Sequence, residues 1–500
     1  MQDVSNISTK LIDGVLYYLP CNNEEVMELV NYAIEKKKVI CLRGAAHSIP
    51  LIKSIEREKN RIYLYLGRMR NVDIDEQTRI VKVQGGCNLG LDPNDPSGIS
   101  TLENSLVYQI HQKGFAFPDL GGITHQTVGG FLSTGASGSS LTNPFNEYLE
   151  SITMVTARGG TATLVTFQRD SDYQNNHFFA AGLSLGLFGV IVEATFRMCD
   201  AFIVKGQEET LSVSDWPVDF YGEEPTKASL LSFFKQHDFQ RLLWWPQKGL
   251  NKVQVWTARK EMMPQKFSPI PYEQQTGTFL GFPVQVAGGW LLKKFGQISW
   301  AIHRKSFFKR TMLGEWLADV FRNLLVPKIL GLLVYDSIVR FKDTWYHGIP
   351  MDSSIDERLI PVWLSELWFP LHQSAEIIKE FRDYFEKRHD GPGTFSYEIY
   401  PAKATEFWIS PGYRRASIRI DIFWFAGNPE DPIKDFYQEF WNHLDEFSFR
   451  SHWGKFMPDQ TFEELKYLYP RFEDWLAARQ LYDPVNVFLN DYWKKRLHLY

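Results

Sequence analysis

The hydrophobic pattern of the first 200 residues switches repeatedly between helical and extended periods. Between residues 23 and 36, apolar side chains recur every three to four positions, which predicts an amphipathic helix capped by Asn23. Residues 61–66 and 79–84 alternate between apolar and polar side chains, as half-buried strands do, and residues 39–42 form a short apolar strand.

Two further segments, 152–157 and 161–166, are joined by Arg158-Gly159-Gly160, which predicts a β-hairpin. A helical segment near 173–181 precedes another strand over 188–197. The first 200 residues are therefore expected to form an α+β domain.

The pattern changes after residue 205, where aromatic residues become denser. Residues 361–368 and 415–424 have the pattern of buried strands, and an amphipathic helix is predicted between them at 374–388. A long, partly basic helical region is expected over roughly 290–345. These elements predict a second domain on an antiparallel sheet, and the composition changes again from residue 451.

The charge balance argues against a nucleic-acid-binding protein. The chain has 500 residues, with 54 Lys and Arg against 59 Asp and Glu, a formal net charge of −5, whereas nucleic-acid-binding proteins usually carry a basic excess. This length predicts two or three domains. Four scattered cysteines are too few for a disulfide framework or a zinc site with close ligand pairs.

The segments that come nearest to a membrane span are 279–292, which glycines and a proline interrupt, and 324–335. Both are shorter than the roughly 20 apolar residues that a spanning helix needs. Basic residues nearby leave a peripheral membrane contact open, but helices that cover a core are the favoured interpretation. No secretory signal is visible at the N-terminus, so we expect a cytoplasmic protein.

Two glycine-containing loops are the strongest candidates for ligand binding. The first, Gly44–Ser48, follows a strand, and its free backbone N–H groups would suit the pyrophosphate of a dinucleotide. A strand-end turn with an incidental histidine is the alternative. The second, Gly121–Ser140, has six glycines interleaved with hydroxyl side chains and allows close backbone approach to a ligand. The GxGxxG and P-loop patterns are both absent at these positions.

Four motifs occur in an order that matches a known family: RGAAHS, GGITHQTVGGFLSTGASGSS, GLSLGLFGVIVEATFRM and the terminal HWGK…DPVNVFLN. With them the chain resembles the vanillyl-alcohol-oxidase-type flavoproteins. Within these it is most similar to the D-arabinono-1,4-lactone, L-gulonolactone and alditol oxidases. The segment FKDTWYHGIPMD also resembles the one that precedes the substrate sheet in lactone oxidases.

The resemblance implies an α+β fold with a two-part FAD-binding domain of the PCMH type and a central substrate domain on an antiparallel sheet. We place the FAD-binding domain at 1–205, the substrate domain at 206–450, and a segment that returns to the active site at 451–500. The residues that match the cofactor-binding positions are Arg43, Gly44, Ala45, Ala46, His47, Ser48, Gly121, Gly122, Thr127, Gly129, Gly130, Ser133, Thr134, Gly135, Ser137, Gly138, Gly189, Val190, Ile191 and His452.

His47 lies at the position where this family often bonds a histidine to the flavin 8α-methyl group, so the resemblance implies covalent FAD. The alternative is a noncovalent enzyme in which His47 only packs near the ring. Gly121 aligns with the residue that influences oxygen access in the family, and a glycine there leaves the path open.

The sequence departs from the family pattern at two motifs. Lactone and alditol oxidases usually have STGTHG where this chain has Ser133–Gly138, with alanine and serine in place of threonine and histidine. They also carry Glu-Ile-Arg on the substrate sheet, whereas this chain has Glu398-Ile399-Tyr400. A phenol offers one donor where a guanidinium offers five, so we expect a substrate that is less polar or differently placed.

The candidate catalytic residues are Glu398, Tyr400, Lys455 and Glu366. The resemblance places Lys455 beside the flavin, where a fixed cation would stabilise developing negative charge; a solvated surface lysine is the alternative. For Glu366, in SELWFP, buried structural pairing is the alternative to a catalytic role.

The sequence thus predicts an FAD-dependent oxidoreductase that transfers a hydride from a CH–OH group to flavin. The substrate would be a small-molecule alcohol, and oxygen would be reduced to hydrogen peroxide. The rival interpretations are a flavin dehydrogenase or reductase that acts on a larger apolar substrate, and a flavin-binding protein that has lost turnover.

Overall fold

The computed structural model describes residues 4–48, 50–51, 60–272, 278–279, 282–283, 294, 313, 316, 320, 324, 326–353, 362–387, 396–425 and 431–499. Most of the basic helical region expected between 290 and 345, and most of the segment 279–292, lies outside these residues. Within the described part of 290–345, Val326–Leu333 is helical as predicted, but Ser337–Thr344 is a strand paired with Ile203–Thr210, so the helical prediction was wrong there.

The strands are β1 Thr9–Ile12, β2 Val15–Tyr18, β3 Val39–Arg43, β4 Arg61–Tyr65, β5 Val72–Asp75, β6 Ile80–Gln84, β7 Phe115–Ala116, β8 Leu149–Thr156, β9 Thr163–Gln168, β10 Val190–Arg197, β11 Cys199–Asp200, β12 Phe202–Ser212, β13 Val218–Asp219, β14 Ala228–Ser229, β15 Phe239–Trp245, β16 Lys252–Met262, β17 Thr278–Phe279, β18 Phe282–Pro283, β19 Ser337–Thr344, β20 Val362–Pro370, β21 Tyr397–Ala402, β22 Ser417–Phe425 and β23 Arg450–Ser451.

The α-helices are α1 Asn23–Glu35, α2 Leu106–Gln112, α3 Val128–Thr134, α4 Phe178–Ala181, α5 Leu230–Phe234, α6 Val326–Leu333, α7 Trp345–Gly348, α8 Ser374–Lys387, α9 Gln438–His443, α10 Phe462–Leu468, α11 Phe472–Tyr482 and α12 Asp491–Arg496.

Two sheets form the N-terminal part of the molecule. One has the order β1-β2-β4-β3 and the other β5-β6-β10-β8-β9. The predicted hairpin is the antiparallel pair β8 and β9. Helix α1 buries Val26, Leu29 and Val30, as its spacing predicts, but its cap is Asn22, whose side chain accepts the Glu25 N–H. The prediction of Asn23 as the cap was therefore wrong by one residue.

An eight-stranded sheet forms the second part, with the order β19-β12-β16-β15-β21-β22-β20-β23. One face is apolar because alternate residues such as Ile399, Ile420 and Leu367 point away from the first part of the molecule and pack against α8 and α9. The opposite face carries polar and charged side chains. The predicted antiparallel sheet and the helix near 374–388 are both present.

The C-terminal residues return to the first part of the chain. The Ile40 N–H donates to the Val487 carbonyl at 2.8 Å, and the indole of Trp475 on α11 donates to the carbonyls of Ala180 and Leu183. The expected boundary at 205/206 falls within β12 and the one at 450/451 falls within β23; the domain limits themselves stay a prediction.

Candidate active site

The polar face of the large sheet carries a row of acidic residues across neighbouring strands. Asp421 on β22 pairs in register with Glu366 on β20 and with Glu398 on β21. Cross-strand partners point to the same face of a sheet, so the three carboxyl groups lie side by side. All three residues are buried.

A second row lies two residues along these strands, on the same face. Arg419 on β22 pairs with Tyr400 on β21 and with Trp368 on β20. The Arg419 guanidinium lies 4.3 Å from the Tyr400 ring centroid, and its Nη1 atom is 3.6 Å from Glu366 Oε1. A buried cation is therefore present beside the position where the family motif has arginine and this chain has Tyr400.

A cavity separates these rows from the two glycine-containing loops. Its lining includes Glu366, Glu398, Tyr400, Arg419 and Asp421 from the sheet, residues 42–48 from the first loop, and much of 121–137 from the second.

The first loop begins where β3 ends at Arg43, whose guanidinium pairs with Asp13 at 2.8 Å. Ala46 has φ 63, so the backbone turns through the left-handed region directly before His47. The His47 ring centroid is 5.8 Å from that of the buried His125, which belongs to the second loop. Both histidines therefore lie where the two loops meet.

The second loop is held against β6 and the first loop by backbone contacts. The Gly129 N–H donates to the Gly85 carbonyl at 2.9 Å, and Thr127 caps α3 by accepting the Gly130 N–H. A Cβ at Gly44 would lie 2.6 Å from Thr127 Oγ1. Glycine at position 44 is thus what allows the two loops to approach so closely.

The glycine-lined wall fits FAD. The lining includes Gly85, Gly86, Gly121, Gly122 and Gly130, and a wall without side chains lets a broad, flat ring system lie close to the backbone. Val190 and Ile191, at the start of β10, contribute an apolar section of the same wall. The cofactor would lie between this wall and the charged face of the sheet.

The C-terminal segment closes the cavity beside Glu366. The His452 N–H donates to the Glu366 carbonyl at 3.0 Å, and the Lys455 N–H donates to the His452 carbonyl at 3.1 Å. A Cβ at Gly454 would lie 2.8 Å from Ser48 Oγ, so this turn also contacts the first loop. Half-buried Lys455 lines the cavity.

His452 is neutral in this environment because burial lowers its pKa to about 4. Its Nδ1 atom accepts the Gly454 N–H at 3.0 Å, so the proton of the neutral ring is on Nε2. The role that the structure gives His452 is to shape the turn that carries Lys455.

Glu366 and Glu398 differ sharply in acidity. Burial opposes ionisation of Glu366, but the electrostatic effect of the adjoining His452 ring, the charges of Arg419 and Lys455, and the Trp368 indole N–H together lower its pKa to about 2. Burial and the neighbouring Asp352 raise the pKa of Glu398 to about 7. Glu366 is thus a fixed anion, whereas Glu398 exchanges a proton near neutral pH.

A buried arginine that the sequence patterns did not indicate contacts Glu398. Arg241 on β15 is fully buried, and its Nη1 atom contacts Asp352 Oδ1 at 2.6 Å and Glu398 Oε1 at 3.1 Å. Its Nη2 atom contacts Glu208 Oε2 at 3.0 Å. The signals in the sequence were a single arginine within the apolar segment FQRLLWW and the aspartate that ends FKDTWYHGIPMD.

Most of the predicted site residues line the cavity. All four catalytic candidates do, with His452 and these cofactor candidates: Arg43, Gly44, Ala45, Ala46, His47, Ser48, Gly121, Gly122, Thr127, Gly129, Gly130, Ser133, Thr134, Ser137, Val190 and Ile191.

Three of the predicted glycines lie outside the cavity lining. Gly135 is the left-handed cap of α3, with φ 71. Gly138 packs directly on the Asp119 carboxylate, and Gly189, with φ 151, packs on the Val155 carbonyl. None of the three is among the lining residues within the described part of the chain; they shape the wall from behind.

Two family models match the chain. Residues 15–91 match the FAD binding domain, and residues 194–496 match D-arabinono-1,4-lactone oxidase. L-gulonolactone oxidase of Scyliorhinus torazame is 22% identical over 489 residues, which cover 96% of this chain and 94% of the relative. Alditol oxidase of a Streptomyces species is 23% identical over 425 residues, which cover 84% of this chain and 81% of the relative.

The fold has relatives among solved structures. Cholesterol oxidase of Brevibacterium sterolicum superposes with a TM-score of 0.70 at 13% identity, covering 99% of this chain and 98% of that one. Glucooligosaccharide oxidase of Acremonium strictum superposes with a TM-score of 0.58 at 17% identity, covering 95% of this chain and 90% of that one. That enzyme carries 6-S-cysteinyl, 8α-N1-histidyl FAD.

The fold and the site define an FAD-dependent oxidoreductase that acts on the CH–OH group of a small molecule, with oxygen as acceptor. Because the lactone-oxidase model matches more than half of the residues, the chain belongs to the D-arabinono-1,4-lactone oxidase family. The predicted family, cofactor and reaction class are confirmed, and the two rival interpretations are not favoured. In the described part of the chain, every helix is too short or too polar to cross a membrane.

Proposed function

We propose that this protein oxidises a CH–OH carbon of a neutral, polyhydroxylated lactone or the related alditol, and that Glu398 accepts the hydroxyl proton. The observation that carries this proposal is the pair of rows on the sheet, which offer several carboxylates and a phenol to a ligand in the cavity. Carboxylates accept hydrogen bonds from hydroxyl groups. The names of the sequence relatives, a lactone oxidase and an alditol oxidase, support the same substrate class.

The charge of the cavity favours a neutral substrate. At the sheet end, Asp352, Glu366, Glu398 and Asp421 are four acidic groups, whereas Arg419 and Lys455 supply two cations. Burial and neighbouring carboxyl groups raise the pKa values of Glu398 and Asp421, so ionisation is already opposed in this cluster. A carboxylate on the substrate would add a further negative charge to it, in a buried site where such repulsion is weakly screened. An open-chain sugar acid is therefore expected to bind worse than its lactone.

Glu398 is the best proton acceptor among these groups. A general base works best when its pKa is close to the operating pH, and Glu398, with a pKa of about 7, meets this condition. Glu366, with a pKa of about 2, holds its charge and balances Arg419. Environments that separate the acidities of two neighbouring carboxyl groups in this way divide the roles between them.

FAD held between the loops and the sheet would supply the hydride acceptor of the reaction, its N5 atom. Lys455 supplies a positive charge from the C-terminal turn, and Tyr400 forms a wall of the substrate space. His47 is the proposed site of a covalent bond to FAD, because it follows the left-handed turn at Ala46 and faces the cavity. The glucooligosaccharide oxidase, whose FAD is bonded to a histidine, supports this attachment.

The test is anaerobic reduction of the flavin by a panel of neutral lactones, alditols, sugar acids and apolar alcohols. Lactones or alditols are expected to bleach the flavin absorbance, and the sugar acids and apolar alcohols are not. Glu398→Gln is expected to keep its flavin but to be reduced about 100-fold more slowly, the usual contribution of a general base. Reduction by apolar alcohols alone, or an unchanged rate in Glu398→Gln, would refute the proposal.

Three expectations from the sequence remain proposals: a cytoplasmic location, the absence of a nucleic-acid partner, and the absence of a stable membrane contact. The net charge of −5 supports the second of these.

A further inference from the structure

Asp352 joins three parts of the site. Its backbone N–H donates to the Gly122 carbonyl at 2.8 Å, which fixes it against the second glycine-containing loop. One carboxylate oxygen accepts a hydrogen bond from Arg241 Nη1 at 2.6 Å, and the other accepts the Tyr400 hydroxyl at 3.3 Å. The side chain is buried and also lines the cavity. Asp352 therefore touches the loop, the sheet and the substrate space at once.

Asp352 and Glu398 share one nitrogen of Arg241, whose two N–H groups allow both contacts at once. Arg241 Nη1 is 2.6 Å from Asp352 Oδ1 and 3.1 Å from Glu398 Oε1, while Nη2 is occupied by Glu208. The shorter contact goes to Asp352, so Glu398 has the weaker share of the cation. With three carboxyl groups around one guanidinium, full ionisation would leave the buried cluster with two uncompensated negative charges, which is costly.

We infer that Asp352 is a positioning residue for the reaction: by taking the shorter of the two bonds to Arg241 Nη1 and placing a second negative charge beside Glu398, it weakens the ion pair of Glu398 with that nitrogen and so keeps Glu398 able to accept the substrate proton. This inference rests on the proposed role of Glu398. Asp352 also holds the Tyr400 hydroxyl, which fixes the neighbouring wall of the substrate space.

The groups around Glu398 determine the direction of the expected change. Tyr400 lies on its own strand, Arg241 on β15, Asp421 on β22 and Asp352 on the segment before β20. Glu208 and Tyr272 bind the far side of Arg241, and Lys455 lies on the C-terminal turn. With a neutral residue at position 352, a repulsive charge disappears and Glu398 no longer shares Arg241 Nη1 with a second carboxylate. The carboxylate form of Glu398 is then favoured, and its pKa falls.

The test compares wild-type holoenzyme with Asp352→Asn, Asp352→Glu and Glu398→Gln. The first readout is the infrared band of the protonated carboxyl group, assigned to Glu398 by its loss in Glu398→Gln and titrated without substrate. In Asp352→Asn its midpoint is expected to fall by about one pH unit or more, the size of a change in one close charge contact. In Asp352→Glu, which keeps the charge, the midpoint is expected to return toward the wild-type value.

The second readout is the rate constant for flavin reduction by stopped flow, which does not depend on how much of the protein folds. The rate constant is measured as a function of pH. In Asp352→Asn, the pH at which the rate constant falls on the acidic side is expected to decrease together with the infrared midpoint. The maximal rate constant at high pH is expected to fall about tenfold, because a weaker base accepts the proton less readily.

The two proposals fail in different ways. An unchanged rate in Glu398→Gln would overturn the role of Glu398 itself. Slow flavin reduction in Glu398→Gln, together with an unchanged infrared midpoint and an unchanged pH dependence of the reduction rate in Asp352→Asn, would overturn the inference about Asp352. The proposed function would then still stand.

Discussion

The guanidinium of Arg419 stacks 4.3 Å from the centre of the Tyr400 ring, directly across two paired strands. The change from arginine to tyrosine in the Glu398-Ile399-Tyr400 motif therefore does not remove the cation from the site. A neighbouring strand supplies it, which removes the reason for expecting a less polar substrate; the expectation of a less polar or differently placed substrate stays a prediction. A substitution viewed along one strand hides a partner that only strand pairing brings close.

Arg419→Met is expected to destabilise the protein at neutral pH. It removes the cation beside Glu366 and leaves buried carboxylates without their partner, a loss on the order of 3 kcal/mol. Arg419 helps to hold the pKa of Glu366 low. The loss of unfolding free energy in Arg419→Met should therefore become smaller as the pH falls and Glu366 is protonated.

Urea unfolding at neutral and acidic pH measures this difference. Tyr400→Phe is the matched control, since it keeps the aromatic ring under Arg419 and loses only the hydroxyl bond to Asp352, about 1 kcal/mol. A cost for Arg419→Met no greater than that of the control would contradict the prediction.

Glu398 should make stability depend on pH in the opposite direction. Its pKa is raised from 4.5 to about 7 by burial and Asp352, so between these values the folded state holds a proton that the unfolded state has released. The resulting stabilisation is complete below about pH 4.5 and is lost as the pH rises through about 7. Relative to wild type, Glu398→Gln should therefore gain unfolding free energy from pH 5 to pH 8, and a constant difference would disprove this.

Much of the fold and most of the cavity lining could be predicted from the sequence. The buried-strand pattern over 361–368 and the glycine-rich loop between Gly121 and Ser140 depend on neighbours in the chain; the strand is present at Val362–Pro370, and much of the loop lines the cavity. Arg241 and Asp352 could not be assigned, because their significance lies in contacts between residues 111 positions apart. The three glycines behind the wall could not be told apart from the lining glycines, because a glycine that permits a turn and one that faces a ligand look identical in sequence.

Gly121→Ala and Gly122→Ala form a matched pair that separates the two halves of the reaction. A Cβ at Gly121 would lie 3.4 Å from its nearest neighbour, the Ile123 carbonyl, so alanine is tolerated and only narrows the cavity. A Cβ at Gly122 would lie 2.6 Å from Asp352 Oδ2 and would displace that carboxylate. Gly121→Ala should slow the reoxidation of the flavin by oxygen without changing the rate of flavin reduction. Gly122→Ala should slow flavin reduction. Stopped flow measures both rate constants.

If Gly121→Ala leaves oxygen reactivity unchanged, position 121 does not influence oxygen access. If Gly122→Ala is reduced at the wild-type rate, the contact with Asp352 has no bearing on the reductive step.

Lys455→Met should slow flavin reduction by every substrate. Lys455 lies in the cavity on the turn that follows His452, and a fixed charge in such a site typically contributes about 10²–10³-fold to the rate. Lys495→Met is the control, because Lys495 is an exposed lysine paired with Asp459 on the surface. Rapid mixing under anaerobic conditions gives the rate constants, and equal rates in both variants would remove Lys455 from the active site.

Covalent attachment of FAD should depend on His47. His47 lines the cavity and its ring centroid is 5.8 Å from that of His125, so a direct test has to distinguish the two imidazoles. Acid-denatured wild-type protein should keep its yellow fluorescence on a gel, His47→Ala should lose it, and His125→Asn should keep it. Mass spectrometry of proteolytic fragments should place the flavin on the peptide that contains residue 47. A flavin that washes out of the denatured wild-type protein, or one found on the peptide with residue 125, would show that the loop after β3 holds the cofactor without a bond to His47.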